Sequence, residues 1–191
     1  MKSQKLLVIA AIVCLLVGAS GTAMAVGCPG GIIEGTQETP LEVDEIVVAG
    51  RSCFVHNVIV LGDVTVTDSE DFTMLDSSIK GDVLVTGSGA VIIAGNTVGV
   101  VEGDIATNSN LVVRSNDRAW VLLNLITGSA RVDLNSKADV KKNAVSFNLL
   151  CRENRRLDSI QNEVGGVEQC RLDIDLFGSF GFGPLGDTQD R

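Results

Sequence analysis

Tyrosine is absent from this chain, and Trp120 and His56 are the single residues of their kinds. Aromatic residues make up only 4% of the 191 positions. That leaves little equipment for histidine-based acid–base chemistry or for a rich aromatic pocket. Positive charge is also scarce: Lys plus Arg number 15 against 24 Asp plus Glu, a formal net charge of -9. This balance argues against nucleic-acid binding through a basic face. The long apolar run near the start, Leu6 to Val17, is too short for a comfortable transmembrane helix of about 20 residues. What the chain does hold is 45% hydrophobic residues, too many for a disordered polymer. The length suits one domain, or one domain with tails.

Residues 1–25 read as a secretory signal peptide. Lys2 and Lys5 supply the positive start, the apolar run follows, and Ala23-Met24-Ala25 forms an A-x-A cleavage site. Cleavage removes two lysines and no acid, which takes the net charge from -9 to -11. It also removes Cys14, leaving Cys28, Cys53, Cys151 and Cys170. An even count in an exported chain suggests disulfides, with three possible connectivities. A competing reading takes Ala25-Val26-Gly27-Cys28 as a lipoprotein box, in which Cys28 is acylated. That box lacks its usual Leu three residues before the Cys, and acylation would leave one thiol unpaired.

Val, Ile, Thr, Gly and Asn dominate the rest, and the apolar positions alternate with the period of a strand. A short pattern recurs: aliphatic, x, Gly, Asp or similar, aliphatic. It reads Val60-Leu61-Gly62-Asp63-Val64, Ile79-Lys80-Gly81-Asp82-Val83 and Val101-Glu102-Gly103-Asp104-Ile105. Weaker copies are Ile126-Thr127-Gly128-Ser129-Ala130 and Val145-Ser146-Phe147-Asn148-Leu149. A second apolar pair follows in phase, ten and twelve residues after the Gly: Phe72 and Met74, Val91 and Ile93, Ala138 and Val140. After Gly103 those offsets give Val113 and Ser115. A period near 20 with several short strands predicts an all-β fold, a single-stranded right-handed parallel β-helix (β-solenoid) of about five coils. An antiparallel β-sandwich is the competing architecture, and the in-phase second feature favours the solenoid.

On this register Asp63, Asp82, Asp104, Ser129 and Asn148 form one outward file. Its expected role is to cap the bend after each Gly through side-chain to backbone hydrogen bonds, rather than to bind calcium. The uneven steps place two insertions at one corner of adjacent coils, within 93–101 and 115–126. Corner insertions in solenoids often form the binding face. The candidate binding residues are therefore Asn96, Asn116, Asp117, Arg118 and Trp120. Trp120 is either a flat platform for a sugar or partner, or a core residue packed on Leu122 or Leu123. His56 reads as a surface residue, and Glu70 with Asp71 as a solvated pair. No catalytic cluster, metal site or cofactor is assigned.

The stretch Ile46-Val47-Val48-Ala49-Gly50-Arg51-Ser52-Cys53, continued by Val58 to Val64, resembles the first coil of a loose group of uncharacterised exported bacterial β-helix proteins. Asn148-Leu149-Leu150-Cys151 and Gly165-Gly166-Val167-Glu168-Gln169-Cys170 are similar to that group's last coil and closing cysteine. The resemblance spans 28–170. It departs at Phe147, where the group has Gly, and in the 21 residues beyond Cys170. It implies a β-solenoid and a secreted location, and it implies no activity.

The resulting layout is 1–25 signal peptide, 26–40 N-terminal leader, 41–150 solenoid, 151–170 disulfide-closed cap and 171–191 Gly/Phe-rich tail. Residues 152–163 read as a solvated excursion within the cap. The tail is either a lid over the open end or a sticker for another chain. Cys53 and Cys151 are assigned to opposite ends of the stack, so cross-end bridges are geometrically disfavoured. The expected pairs are Cys28 with Cys53 and Cys151 with Cys170. The expected location is secreted, periplasmic or cell-surface. The expected partners are a protein or polysaccharide of the cell envelope, no nucleic acid, and a membrane only if Cys28 is lipidated. The leading functional expectation is a structural surface protein without catalytic activity. A carbohydrate-binding module comes next, and a polysaccharide-active β-helix enzyme, by analogy of fold alone, comes last.

Overall fold

A computed structural model describes residues 25–28, 31–99, 101–102, 105–106 and 108–170. The signal-peptide assignment, apart from Ala25, and the tail 171–191 lie outside the described residues. The described chain is a β-solenoid of about seven turns, built from three parallel sheets. The first sheet stacks Ala25–Val26, Glu45–Ala49, Val64–Thr67, Val83–Thr86, Leu111–Arg114, Ala130–Asp133, Leu149–Leu150 and Glu168–Gln169. The second stacks Ile32–Glu34, Cys53–His56, Asp71–Leu75, Ala90–Ala94, Arg118–Leu122, Lys137–Lys141 and Leu157–Ile160. The third stacks short strands from Leu41–Val43 through Ser78–Ile79 and Leu125–Ile126 to Glu163–Val164.

Alternation decides which side chains fill the interior, because neighbours along a strand point to opposite faces. Val64 and Val66, Phe72 and Met74, Val83 and Val85, Val91 and Ile93 are all fully buried. Val60 and Ile79 of the third sheet join them. Each of these residues stacks on its counterpart in the next coil: Val83 lies between Val64 and Leu111, and Val91 between Phe72 and Ala119. Burying each such side chain is worth about 1.5–3 kcal/mol. No coil can bury its apolar face alone, so the fold is a stack by necessity.

The register is stricter than the sequence pattern suggested. Equivalent residues are 19 apart from Val64 to Val83 and from Leu111 through Ala130 to Leu149. Between Val83 and Leu111 the step is 28, so nine extra residues enter once. They fall at 100–108, where Val101–Glu102 pairs antiparallel with Ile105–Ala106 in a small hairpin outside the three sheets. Of the third expected copy, Val101–Glu102 and Ile105 thus lie in an excursion and not at a coil corner, and Gly103 and Asp104 lie outside the described residues. The two insertions expected within 93–101 and 115–126 are one. The third member of the corner file is Asn110, and Ser109 stands in the glycine position.

The coil count also differs, about seven against five, because both terminal segments carry strands of their own. Ile32–Glu34 pairs with Cys53–His56, and Leu157–Ile160 pairs with Lys137–Lys141. The segment 152–163, expected as an excursion, therefore runs through the last coil. Its inward residues Leu157 and Val164 are half-buried, as expected where only one neighbouring coil covers them.

Both disulfides form as expected, Cys28–Cys53 and Cys151–Cys170. Cys53 and Cys151 are buried at inward positions of the second and first sheets. Cys170 lies one 19-residue step beyond Cys151, directly below it in the stack, with the Cα atoms 4.5 Å apart. That separation is close to the inter-strand spacing of about 4.8 Å, so the bridge replaces one rung of the side-chain stack.

Candidate functional site

Three polar ladders hold the corners, and they account for most of the polar residues that a sequence reader would consider for chemistry. In the first, between the second and third sheets, Asn96 Oδ1 accepts from the Ser77 backbone N–H at 3.0 Å. Asn124 Oδ1 accepts from Asn96 N at 3.0 Å, Asn143 Oδ1 from Asn124 N at 3.0 Å and Asn162 Oδ1 from Asn143 N at 3.0 Å. The Nδ2 groups of Asn124 and Asn143 donate to Ile93 O at 2.9 Å and Val121 O at 2.8 Å. A matching ladder runs through Asn116, Asn135 and Asn154 between the first and second sheets. Asn96 and Asn116, expected as exposed binding residues, are 1% and 2% exposed members of these ladders. Their amides satisfy buried backbone groups that the turns would otherwise orphan.

The third ladder contains the acid file. Asp63 Oδ1 accepts from Asp82 N at 2.8 Å, Asp82 Oδ1 from Asn110 N at 2.7 Å and Asn110 Oδ1 from Ser129 N at 3.0 Å. The capping role expected of this file holds, with the bond reaching the next coil rather than the residue's own turn. Among the described residues no group of three or more His, Cys, Asp or Glu converges as a metal site.

His56 Nδ1 lies 3.1 Å from Glu34 Oε1, and Nε2 lies 3.6 Å from Asp76 Oδ2. The ring is bracketed by carboxylates from the coils on either side of it and is half-buried. Glu70 and Asp71 are exposed, as expected of a solvated pair.

One open hollow of about 640 Å³ lies on the outer face of the second sheet, at its corner with the first. Arg118 and Trp120 are two residues apart on one strand, and both point outward because Ala119 and Val121 between and beyond them are buried. Lys137 stacks on Arg118, and Arg156 occupies the next position of the same file. Asp117, Ser136 and Arg155 line the corner beside them. Asp117, Arg118 and Trp120 of the candidate set are thus brought together, while Asn96 and Asn116 are not part of the hollow. Lys137, Arg155 and Arg156 escaped the sequence reading. A signal for two of them was present: Lys137 and Arg156 follow Arg118 at the 19-residue step.

Charge is distributed unevenly across this face. Lys137 Nζ is 3.4 Å from Asp139 Oδ2, and Lys141 Nζ is 3.5 Å from Asp139 Oδ1 and also contacts Asp158. The hydrogen bond to Asp158, with the charges of Asp139 and Asp158, holds the Lys141 amine above its ordinary range. Arg118, Arg155 and Arg156 have no ion-pair partner among the described residues. Above Trp120 the same outward file is apolar or uncharged, through Ile92, Thr73 and Phe54.

No helix among the described residues is long and apolar enough to cross a membrane. Comparison with protein families, curated proteins and solved structures found no match to this chain.

Proposed function

We propose that this chain is an exported, non-catalytic β-solenoid that serves at the cell surface as a rigid scaffold, presenting the hollow around Trp120 to an envelope partner. The observation that carries this reading is the commitment of its polar side chains. Carboxamides, hydroxyls and the acid file are bonded from coil to coil, which makes the body stiff and leaves the hollow as a concave charged feature on it. Two disulfides suit an oxidising compartment. The sulfur of Cys28 is joined to Cys53, which leaves it unavailable for the thioether of a lipoprotein. That supports a soluble exported form beginning at Val26 over a lipid-anchored one.

The test is fractionation of the native cell followed by N-terminal sequencing. Recovery outside the cytoplasm with Val26 first is the expected result. Recovery in the cytoplasm, or an acylated Cys28 in the membrane fraction, defeats the proposal. Incubation with carboxylated polysaccharides should give no cleavage products. Cleavage lost in an Asp117→Asn variant would replace the scaffold by an enzyme.

A further inference from the structure

We propose that the hollow binds an anionic polysaccharide, a chain of sugars bearing carboxylate or sulfate groups, laid across the coils with one sugar face against Trp120. The inference rests on the scaffold reading and names what its binding surface takes.

The argument begins with a file of like charge. Arg118, Lys137 and Arg156 occupy one position in three successive coils, so their backbones repeat at about 4.8 Å. In the same file the two coils above hold Ala90 and Asp71. The cations are therefore confined to the three coils that line the hollow, and Arg155 adds a fourth at its corner. Stacked like charges repel one another and weaken the sheet they sit on. Only Lys137 is relieved by an internal carboxylate, Asp139. In an exported form of net charge -11, concentrating four cations on one concave area creates a local field opposite in sign to the whole. A bound anion supplies the missing partner.

The geometry favours a linear ligand. The hollow crosses three coils and presents a cation in each, which matches a polymer with charge repeated along its length. Guanidinium groups form bidentate pairs with carboxylate or sulfate oxygens. Trp120 is half-buried on the outer face, with an apolar ring for the C–H face of a sugar, while Asp117 and Ser136 offer acceptors and a hydroxyl to sugar hydroxyls. Single-stranded nucleic acid, the other polyanion with flat groups, calls for a series of aromatic platforms and a basic molecule. This face has one indole and the chain is acidic.

The chain contains one Trp and no Tyr, so its intrinsic fluorescence reports on this site alone. The experiment titrates the full oxidised protein with a carboxylated hexasaccharide (oligogalacturonate), a heparin-derived sulfated hexasaccharide, a neutral hexasaccharide and a single-stranded oligonucleotide of matching charge. Saturable change with the carboxylated or the sulfated sugar, weakening as salt rises, is the expected result, and the stronger of the two identifies the acid group. The neutral sugar and the oligonucleotide should bind at least ten-fold more weakly. Arg118→Ala and Arg156→Ala should each weaken binding by roughly ten-fold, the scale of a lost charged hydrogen bond. Trp120→Ala, followed by calorimetry, should do the same, and Arg131→Ala on the first sheet, which costs stability by unpairing the buried Asp133, should leave the affinity unchanged. Circular dichroism confirms that each variant is folded. No saturation with either acidic sugar, tighter binding of the oligonucleotide, or unchanged affinity in the folded arginine variants would overturn the proposal. Binding by a protein recovered from the cytoplasm would instead sink the scaffold reading and leave the site standing.

Discussion

Replacing Asn124 by Ala should cost about 2–4 kcal/mol, more than the loss of one polar side chain at an exposed turn. The magnitude follows from the hydrogen bonds. Asn124 is 2% exposed. Its Oδ1 accepts from Asn96 N at 3.0 Å and Asn96 Nδ2 at 3.2 Å. Its Nδ2 donates to Ile93 O at 2.9 Å and to Asn143 Oδ1 at 3.0 Å. Removal strands the Asn96 N–H in a site without room for easy solvation, and takes from the Ile93 carbonyl its second donor while the ladder bond from Leu122 stays. Each buried group left unsatisfied costs about 1–3 kcal/mol, whereas Asn96 Nδ2 and Asn143 Oδ1 retain other partners. Asn162 in the last coil is only partly buried, so Asn162→Ala should cost less, about 1–2 kcal/mol. Urea unfolding of the oxidised protein, compared at constant m-value, measures both. Asn124→Asp gives a sharper check, since it keeps the shape but turns two donated bonds into oxygen–oxygen contacts with Ile93 and Asn143. If Asn124→Ala and Asn162→Ala cost the same, or if Asn124→Asp is neutral at pH 7, the ladder is not what joins the coils at this corner.

Three other expectations follow from the same geometry. Gly81→Ala should cost about 2–4 kcal/mol, because a Cβ there would meet Gly62 O at 2.5 Å and Asp63 Oδ1 at 2.2 Å, breaking two inter-coil bonds. Gly50→Ala, with open space but φ at 67°, should cost only about 1 kcal/mol, and equal losses in chemical denaturation would refute the steric account. The disulfide loops span 25 and 19 residues and should each contribute about 3 kcal/mol. On reduction, hydrogen exchange should rise at 45–56 and 157–169 before 64–94, and uniform loss of protection would contradict end-pinning. The Lys141 amine is held above its ordinary value, so its ion pairs stabilise fully below that value and are lost as pH rises through the higher folded one. Melting temperatures followed from pH 9 to 12 should fall more steeply in the native chain than in Asp158→Asn, and parallel curves would remove that contribution.

The class of fold was legible because inward positions tolerate so few residue types. Val64, Val83 and Val91 announce a dry stacked interior by alternation alone. Register between Val98 and Leu111 was not legible, and the reason is physical. Where the backbone at the corner passes close to the preceding coil a small residue fits best, and glycine advertises the place at Gly62, Gly81 and Gly128, while Phe147 fills the same step with its ring exposed. Ser109 meets the requirement differently: its hydroxyl donates to Lys80 O at 2.7 Å, turning a close approach into a bond. The segment from Val101 to Ile105 imitates the motif in sequence, while the pairs Val101–Glu102 and Ile105–Ala106 stand outside the three sheets. Glycine was therefore a weaker guide to register than asparagine. Asn116, Asn135 and Asn154, like Asn124, Asn143 and Asn162, recur at steps of 19 because each amide must meet the backbone of one particular neighbour. The same steps run through residues 152–163 and mark the last coil that composition alone disguised.

The placement of the hollow follows from this periodicity rather than from the insertion. A solenoid carries every outward position down its length as a file, so a surface property needs only three substitutions at one step to become a continuous strip. Arg118, Lys137 and Arg156 make such a strip, and the inter-strand spacing of about 4.8 Å fixes their separation. The nine extra residues enter at the corner between the third and first sheets, whereas the hollow lies at the corner between the first and second. Loops in such folds move relative to the body and lose entropy when they order on a ligand. Side chains fixed by two neighbouring coils have already lost most of that freedom. A binding surface built on the strands is thus preorganised, and Trp120, held between Ile92 and Asp139 in its file, is the part of it with the least freedom to lose.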